Sequence, residues 1–579
     1  MTALSVSATI SQGRRQLVNV RERSLLTAKA RLLWVLSVFA LLTLCALVRI
    51  VYVGIAQPAP ASRDLANALV PPRGDIVDRR GVPLARAFPA YALWYNPEAM
   101  GKGSPLVHSP REVAQKIVRI FPDMNVAELT ERLASGKPGY LRRRVLPEDA
   151  NRIHDLGEPA LEFPRENERY YPQGSMAAHV LGFVGADGKG RVGMEQVFNE
   201  ALTDPARRST PQVLSIDARV QGALEDELSR GIAQTNAKGA AGIILDVDTG
   251  EVLALASLPS FNPNLIDDAG TPNIFNRVTN QVYELGSTFK PITVAAAIDA
   301  GTVSNMARRY PANRPISIGG FQIRDSHGMG ASLNVPEALI HSSNIVTAQI
   351  ADELGPVRLR AVMQQLGMNQ RPYIELPARG FPLWPRGEAK GGLWSRITTM
   401  TVSYGHGIAV TPLHLASAYA AVVNGGVWRP ATLLKVAPGQ APAGRRVFKA
   451  STSARMRQLL RLIVADGTGR KADAPGFRVG GKTGSAEKPG SGGYNKSSLV
   501  STFAAAFPMD RPRFVVIAML DEPQGTQATS FQRTAAWNTA PIVARVVPRI
   551  GPLLGIMPDD SRDVDITDLA PLVPGRGEE

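Results

Sequence analysis

The chain has 579 residues, of which 44% are hydrophobic, 20% charged and 6% aromatic, so it can form several hydrophobic cores and is not disordered throughout. Its 65 Lys and Arg residues against 50 Asp and Glu residues give a formal charge of +15, which would suit nucleic acid or anionic lipid as a partner. The single cysteine, Cys45, excludes an intrachain disulfide, and the seven histidines show neither HExxH nor a metal-ligand spacing, so we expect no metal and no cofactor.

A long apolar segment lies near the N-terminus. Residues 32–48 carry no charge, and extension past Arg49 to residue 53 gives about 33 Å of helix, enough to cross a bilayer. Because basic residues dominate the preceding stretch, the positive-inside rule predicts a cytoplasmic basic tail at 1–31 and a transmembrane anchor at 32–53, with the rest outside the cytoplasmic membrane. A cleaved signal peptide is the alternative, although its apolar region is usually shorter. In that compartment we expect no nucleic acid as a partner.

The segment after the anchor shows no recognisable catalytic chemistry. Residues 54–72 are rich in Pro and Ala and are typical of a linker. Strand-like, turn-like and helical pieces follow, without a nucleophile in a helical context or paired carboxylates in a recognisable setting. We therefore predict a mixed pedestal domain over 54–210, and we interpret Arg73, Asp78 and Arg79 as buried ion-pair residues rather than catalytic ones.

The pattern changes after residue 210. Two apolar strands flank a hairpin-like turn at residues 248–250, two more apolar strands are predicted at 499–507 and 514–520, and the sequence between them is mostly helical. Early and late strands with helices between them predict an α+β domain over 211–556, whose sheet is closed by distant parts of the chain. The acidic residues among Pro and Gly at 557–579 predict a disordered tail.

The first short motif contains a serine and a lysine three residues apart. Ser287 and Lys290 begin a helical pattern that stops at Gly301, so one helical turn brings both side chains to the same face. A serine hydroxyl becomes a strong nucleophile when a base accepts its proton, and a lysine can do so if its pKa is lowered enough to leave it uncharged. Alone the motif is weak, since a solvated helix start explains it and residues Ser485 to Lys488 repeat it in a Gly-rich stretch.

The second motif is Ser342-Ser343-Asn344, which lies between two predicted helices. The first of these helices begins at Asn334, with Glu337 in the position of an N-terminal capping box. A break between helices can place Ser342 and Asn344 in a cleft, where a serine can relay a proton and an amide can orient a lysine. Taken alone, an ordinary polar turn between helices explains the same residues.

The third motif is Lys482-Thr483-Gly484-Ser485, which follows a short apolar stretch. A strand that ends in a cationic side chain, a hydroxyl and a glycine can bind a peptide along its edge, with Thr483 and Ser485 holding a terminal carboxylate and Gly484 allowing close approach. Residues 476–483 also match the phosphate-binding pattern GxxxxGK[ST]. We reject a nucleotide site because glycines and a proline stand where the required helix would begin.

The three motifs occur in the order SxxK, SxN and KTG, and together they resemble the active-site set of penicillin-recognising serine transferases and β-lactamases. Longer segments are similar to the class B penicillin-binding proteins, including their pedestal domain. These segments are RGDIVDRRGVPLA at 73–85, RYYPQGSMAAHVLGFVG at 169–185, GMEQVFNEAL at 193–202, LSIDARVQ at 214–221 and SYGHGIAVTPLHLASAYA at 403–420. The last of them resembles the division type more than the elongation type. One departure is Leu285, where the family usually has a proline.

The resemblance implies a role for each motif residue in transpeptidation. Ser287 would attack the penultimate D-alanine carbonyl of a stem peptide, while uncharged Lys290 accepts its proton. Ser342 would relay that proton to the leaving D-alanine, and Asn344 would hold Lys290 and the substrate amide. Lys482 would keep Lys290 uncharged by repulsion and attract the substrate carboxylate.

The resemblance also implies an oxyanion hole and a set of partners. The backbone N–H groups of Ser287 and Ser485 would form the oxyanion hole. The expected partners are D-Ala-D-Ala stem peptides as donors, an amine acceptor, β-lactam antibiotics, the inner membrane, a SEDS-type glycosyltransferase and other division proteins. The expected location is the division septum, with a periplasmic catalytic domain. The alternatives are an elongation-type transpeptidase, a β-lactamase and a noncatalytic penicillin-binding scaffold.

Overall fold

The computed structural model describes residues 13–56, 73–99, 106–185, 187–266, 273–387, 392–490 and 493–573. The chain forms two compact units, one that ends at Pro71 and one that begins at Pro72. The predicted boundary near residue 210 lies within the second unit, and it stays a prediction.

The first unit contains one long helix, α1 (Gly13–Ala56). Within it, Leu25–Arg49 is long and apolar enough to cross a membrane. The helix begins before the predicted anchor because no proline and no internal glycine interrupt residues 14–31, so the basic segment continues the same helix. The first 12 residues of the predicted basic tail and residues 57–72 of the predicted linker lie outside the described residues.

The second unit mixes helices and strands throughout. Its helices are α2 (Pro110–Ile120), α3 (Val126–Ala134), α4 (Pro147–His154), α5 (Ala178–Leu181), α6 (Gly193–Val197), α7 (Asn199–Thr203), α8 (Ala218–Thr235), α9 (Lys290–Asp299), α10 (Val335–Ile340), α11 (Asn344–Leu354), α12 (Pro356–Gln365), α13 (Arg396–Val402), α14 (Pro412–Val423), α15 (Ala450–Asp466) and α16 (Thr539–Ile550). Its strands are β1 (Ile76–Val77), β2 (Pro83–Tyr95), β3 (Gly139–Val145), β4 (Leu161–Glu162), β5 (Arg165–Tyr170), β6 (Gln212–Val213), β7 (Gly239–Asp246), β8 (Val252–Leu258), β9 (Tyr310–Pro311), β10 (Ile316–Ile318), β11 (Phe321–Ile323), β12 (Ser332–Leu333), β13 (Val427–Trp428), β14 (Arg445–Arg446), β15 (Gly480–Gly490), β16 (Gly493–Phe507) and β17 (Phe514–Asp521).

A five-stranded antiparallel sheet forms the centre of the C-terminal part, in the order β15-β16-β17-β7-β8. Side chains alternate between its faces, so Ile243 belongs to the core that contains Tyr419 of α14, whereas Ile244 belongs to the core that contains Leu224 of α8 and Ile542 of α16. The late strand β17 pairs with the early strand β7 along its whole length. The predicted α+β fold with a sheet closed by distant segments is confirmed.

The N-terminal part of this unit is built around strand β2, which pairs with β1, β3, β4 and β5. A buried carboxylate joins its segments: Glu195 accepts hydrogen bonds from Nε of Arg73 at 2.7 Å and from Nε of Arg169 at 2.6 Å. Asp78 differs from the expected ion pair, because its carboxylate accepts backbone N–H groups, including that of Ala218 at 3.1 Å. The short loop after Asp78 and the first turn of α8 both need such acceptors for their backbone N–H groups.

The prediction of disorder after Met557 is wrong for residues 557–573. Asp563 pairs with Arg461 at 2.7 Å and Asp568 pairs with Arg455, and both arginines lie on α15. Leu569 is 1% exposed in the main core. The acidic composition predicts a solvated tail, but arginines of α15 pair with two of its carboxylates, Leu569 is buried, and Val564, Ile566, Leu572 and Val573 pack against the core. Residues 574–579 lie outside the described residues.

Candidate active site

The SxxK motif lies where a short 3₁₀ turn passes into an α-helix. Ser287 is in the 3₁₀ turn Gly286–Phe289 and is partly exposed, while Lys290 is the first residue of α9 and is fully buried. The backbone N–H of Lys290 donates to the backbone oxygen of Ser287, and because residues three apart in such a turn are eclipsed, this backbone favours the expected placement of both side chains on one side. The predicted helix ends at Asp299, and Gly301 follows with φ of +73°.

Ser342 lies between α10 and α11, and its hydroxyl contacts two lysines. Nζ of Lys290 lies 3.0 Å from Oγ of Ser342, and Nζ of Lys482 lies 2.9 Å from the same atom. Lys290 also donates to the backbone oxygen of Ser342. Ser342 has a φ of +63°, a region that non-glycine residues seldom adopt and that occurs often at functional sites. The fold therefore brings together one residue from each motif.

Burial determines the charge of the two lysines. Desolvation lowers the pKa of Lys290 far below its usual value, and the positive charge of Lys482 lowers it further, while Asp325 opposes both effects. Desolvation also lowers the pKa of Lys482, to about 7. Because two adjacent ammonium groups without water are unfavourable, at least one of these lysines is uncharged at neutral pH. An uncharged Lys290 can accept the proton of Ser287.

The KTG motif lies within the edge strand β15, near its start rather than at its end. Lys482 is fully buried and donates to the backbone oxygen of Thr483 at 3.0 Å. A Cβ on Gly484 would lie 2.5 Å from the backbone oxygen of Leu285 and 3.2 Å from the backbone nitrogen of Thr288. The glycine thus allows the turn that carries Ser287 to pack directly on the strand. Because the strand continues to Gly490 and no helix follows the motif, the nucleotide interpretation is excluded.

Ser485 occupies the next position of the same strand. Its Oγ accepts a hydrogen bond from the backbone nitrogen of Ala535 at 3.0 Å, so one lone pair of this hydroxyl is already used within the protein. Oγ of Thr483 lies 3.0 Å from Oγ of Thr468. Both hydroxyls are anchored beside the cleft, and their role in carboxylate binding stays a prediction. The second SxxK occurrence, Ser485 to Lys488, lies in this strand and not in a Gly-rich loop.

Asn344 begins α11, and the structure gives its amide a different partner from the expected one. Nδ2 of Asn344 donates to the backbone oxygen of Arg324 at 2.9 Å rather than contacting Lys290. The first turn of a helix has unpaired N–H groups, and the backbone nitrogen of Asn344 donates to Asp325. The amide of Asn344 therefore holds the loop that carries Asp325, and the charge of Asp325 raises the pKa of Lys290.

Asp325 is a site residue that the sequence analysis missed. Its carboxylate accepts from Oγ of Ser343 at 2.7 Å and from the backbone nitrogen of Ile345 at 3.1 Å, and its charge raises the pKa of Lys290. It precedes the SxN motif in a loop, without a fixed helical spacing that could link them. The unpaired N-terminal N–H groups of α11 were the only signal that an acceptor was required.

Comparisons with known proteins cover most of the chain. The penicillin-binding protein transpeptidase domain matches residues 240–545, and the penicillin-binding protein dimerisation domain matches residues 68–204. The chain is 39% identical to a probable peptidoglycan D,D-transpeptidase FtsI of Caulobacter vibrioides over 498 residues, which cover 84% of this chain and 82% of that protein. It is 32% identical to the peptidoglycan D,D-transpeptidase FtsI of Escherichia coli over 480 residues, which cover 78% and 79%.

A solved structure shows the same fold. Penicillin-binding protein 3 of Mycobacterium tuberculosis, in complex with aztreonam, superposes with a TM-score of 0.65 at 24% identity, covering 85% of this chain and 98% of that one. Most of this chain therefore shares the fold of that protein.

Proposed function

Because the chain belongs to the penicillin-binding protein transpeptidase family, we propose that it is a peptidoglycan D,D-transpeptidase that crosslinks stem peptides through an ester on Ser287. The observation that carries this proposal is the hydroxyl of Ser342, which lies within 3.0 Å of the buried amines of both Lys290 and Lys482. This arrangement provides an uncharged base one turn from the nucleophile and a path for its proton.

The first half of the reaction is the formation of the acyl-enzyme. Oγ of Ser287 attacks the penultimate D-alanine carbonyl and Lys290 takes its proton, which then passes through Ser342 to the amine of the departing D-alanine. The backbone N–H groups of Ser287 and Ser485 stabilise the oxyanion, a contribution of about 3–4 kcal/mol per donor. Lys482 attracts the terminal carboxylate, with Thr483, Gly484 and Ser485 along the strand edge.

Binding of labelled penicillin tests this function, because a β-lactam would acylate Ser287 in place of the peptide. We expect a stable label on the full-length protein that is released slowly. Rapid turnover would favour a β-lactamase, and no labelling would contradict the proposal. Complementation with Ser287→Ala distinguishes an enzyme from a noncatalytic scaffold, since a scaffold would still support growth.

The position in the cell is the second part of the proposal. We infer that α1 anchors the chain in the inner membrane with its N-terminus in the cytoplasm, a pedestal domain at 54–210 and a periplasmic transpeptidase domain at 211–556. The similarity to FtsI proteins supports action at the division septum, beside a SEDS-type glycosyltransferase and other division proteins. A tagged copy should concentrate at midcell, whereas labelling along the side wall would favour an elongation-type enzyme.

A further inference from the structure

A buried carboxylate lies beside the turn that carries the nucleophile, and one of its oxygens has no hydrogen-bond partner in the part of the chain that the structure describes. The side chain of Glu284 is 10% exposed. Its Oε1 accepts from the backbone nitrogen of Gly407 at 3.0 Å and from the hydroxyl of Tyr494 at 3.1 Å. Its Oε2 is buried and accepts no hydrogen bond from the described residues. A buried carboxylate oxygen without a donor is costly and indicates a place for a ligand.

The nearest cationic candidate does not neutralise this oxygen. Nδ1 of His406 lies 3.5 Å from Oε2 of Glu284, which is too long for a strong hydrogen bond. Desolvation, together with a smaller contribution from the amine of Lys290, lowers the pKa of His406 to about 4, so its imidazole is uncharged at neutral pH. The carboxylate of Glu284 therefore accepts hydrogen bonds from Gly407 and Tyr494, but His406 gives it no positive counter-charge.

Glu284 is held close to the reacting serine. It precedes Ser287 by three residues, and the flanking residue Tyr283 pairs with Val410 through backbone hydrogen bonds. A Cβ on Gly405 would lie 2.3 Å from the backbone oxygen of Gly286, so the segment around His406 packs against the nucleophile turn. The backbone at Glu284 is thus held next to the segment that packs on the nucleophile turn.

A cavity of about 300 Å³ opens at this carboxylate, and its lining includes Glu284, Gln281, Glu487 and Lys488. Nζ of Lys488 lies 2.9 Å from Glu522 and also pairs with Asp521, so its charge is already compensated. The carboxylates of Glu284 and Glu487 then give the lining of the cavity a negative charge. A cavity of this size can hold an amino-acid side chain and favours a cation.

We propose that this cavity receives the primary ammonium group of the acceptor strand, with Oε2 of Glu284 accepting its hydrogen bond and then its proton. The inference rests on the proposed function, because it concerns the second half of that reaction. An ammonium group bound there would lie against Glu284, three residues before the acylated Ser287, and its own charge would satisfy the unpaired oxygen.

The ammonium nitrogen loses two protons in this step, one to Glu284 and one to Oγ of Ser287. The ammonium gives one proton to Glu284, and the free amine attacks the ester carbonyl. The nitrogen loses a second proton through Ser342 and then Lys290 to Oγ of Ser287, which leaves as the ester bond breaks and the amide bond forms. Glu284 then releases its proton to solvent. Burial raises the pKa of the Glu284 carboxyl, with Tyr494, Tyr404, His406 and Lys488 around it, so it is a stronger base than an exposed glutamate.

The test compares two acceptors on the full-length protein in detergent. The enzyme is acylated with a thioester of an N-acyl-D-alanine, and the ratio of aminolysis to hydrolysis is measured with glycinamide and with hydroxylamine, which is uncharged at neutral pH. We expect Glu284→Gln to lower this ratio with glycinamide by about 10²-fold and to retain it with hydroxylamine. The matched control is Glu353→Gln, which alters a surface carboxylate paired with Arg308.

An unchanged ratio with glycinamide, or an equal loss with both acceptors, would overturn the inference, since the second result indicates a merely structural role. Labelling by penicillin shows separately whether the variant is folded and whether acylation itself occurs. If wild-type protein is not acylated, the proposed function fails first. If Glu284→Gln does not fold, Glu284→Asp is measured in the same way, and it must show a selective loss with glycinamide.

Discussion

Lys290 and Lys482 share one hydrogen-bond partner, the hydroxyl of Ser342, at 3.0 and 2.9 Å. Both lysines are fully buried, so water cannot solvate the charge of either ammonium group. The like charge of Lys482 therefore acts directly on the proton affinity of Lys290. Charged groups near the two lysines therefore change the pKa of Lys290, and with it the fraction of Lys290 that can accept the proton of Ser287.

The pH dependence of acylation should respond to the two charges near Lys290 in opposite directions. The rate should fall as the pH falls through the pKa of Lys290, because the protonated amine cannot accept the proton of Ser287. Asp325→Asn removes a charge that raises this pKa, so the acid limb should move to lower pH. Lys482→Gln removes a charge that lowers it, so the limb should move to higher pH, each by about one unit.

This pair of variants is measured by the second-order rate of acylation by benzylpenicillin across the pH range. The position of the limb, and not the absolute rate, reports on Lys290, so a weaker affinity for the drug does not obscure the result. Shifts of both variants in the same direction would contradict the charge arrangement.

The close contact at Gly484 predicts a kinetic defect. A methyl group there would lie 2.5 Å from the backbone oxygen of Leu285, so Gly484→Ala should displace the turn that carries Ser287. A displacement of about 1 Å at a reacting group costs about 10²-fold in rate. The control is Gly490→Ala on the same strand, where the nearest atom would be 3.5 Å away. Equal penicillin acylation rates in the two variants would show that the contact is unimportant.

Buried His414 predicts a loss of stability in acid. Its Nε2 contacts the backbone oxygen of Gln370 at 2.9 Å and its Nδ1 lies 3.2 Å from the backbone nitrogen of Thr411, a pattern that suits neutral imidazole. Desolvation lowers its pKa from 6.5 to about 4. Between those values the unfolded chain binds the extra proton, so the free energy of unfolding falls as the pH falls, by about 3 kcal/mol in total.

His414→Gln separates this effect, because glutamine can still accept in the capping box that Thr411 and His414 form at the start of α14. The variant should lose less stability than wild-type protein between pH 6.5 and 4 in chemical unfolding experiments. His179 has its pKa lowered in the same direction, so some acid sensitivity should remain. Identical pH profiles would contradict a neutral buried His414.

Removal of Glu195 should destabilise the pedestal strongly. Its carboxylate is fully buried between Arg73 and Arg169, and Glu195→Gln leaves two buried guanidinium groups without a counter-charge. Loss of one partner of a buried ion pair costs about 3–5 kcal/mol. Thermal unfolding should show a lower transition, while Glu353→Gln, in a partly exposed pair, should change stability by less than about 1 kcal/mol. Similar transitions for the two variants would argue against a structural role for Glu195.

Local patterns predicted the parts of the fold that depend on near neighbours in the chain. Apolar runs predicted the strands β7 and β17, and the capping box of Asn334 and Glu337 marked the start of α10 correctly. The order of the three motifs identified the residues that meet at Ser342. The strand and capping signals each lie within a few residues, and the three motifs occur in an order that is known from other proteins.

Contacts between distant segments were not predictable in the same way. Asp325 acts on Lys290 through space from a loop, and the carboxylate of Glu284 depends on Tyr494 and Gly407, which no spacing connects to it. The acidic tail was assigned as disordered because its basic partners on α15 could not be identified without the fold. The roles of Asp325, Glu284 and the acidic tail depend on which distant residues pack around them, and local sequence patterns do not contain that information.

The most direct measurement is the mass of the peptide that carries Ser287 after the full-length protein has been incubated with excess benzylpenicillin. A hydroxyl activated by uncharged Lys290 should acquire one penicilloyl group, and the Ser287→Ala variant should acquire none. An unmodified Ser287 peptide in folded protein, or an adduct on a different side chain, would contradict the assignment of Ser287 as the nucleophile.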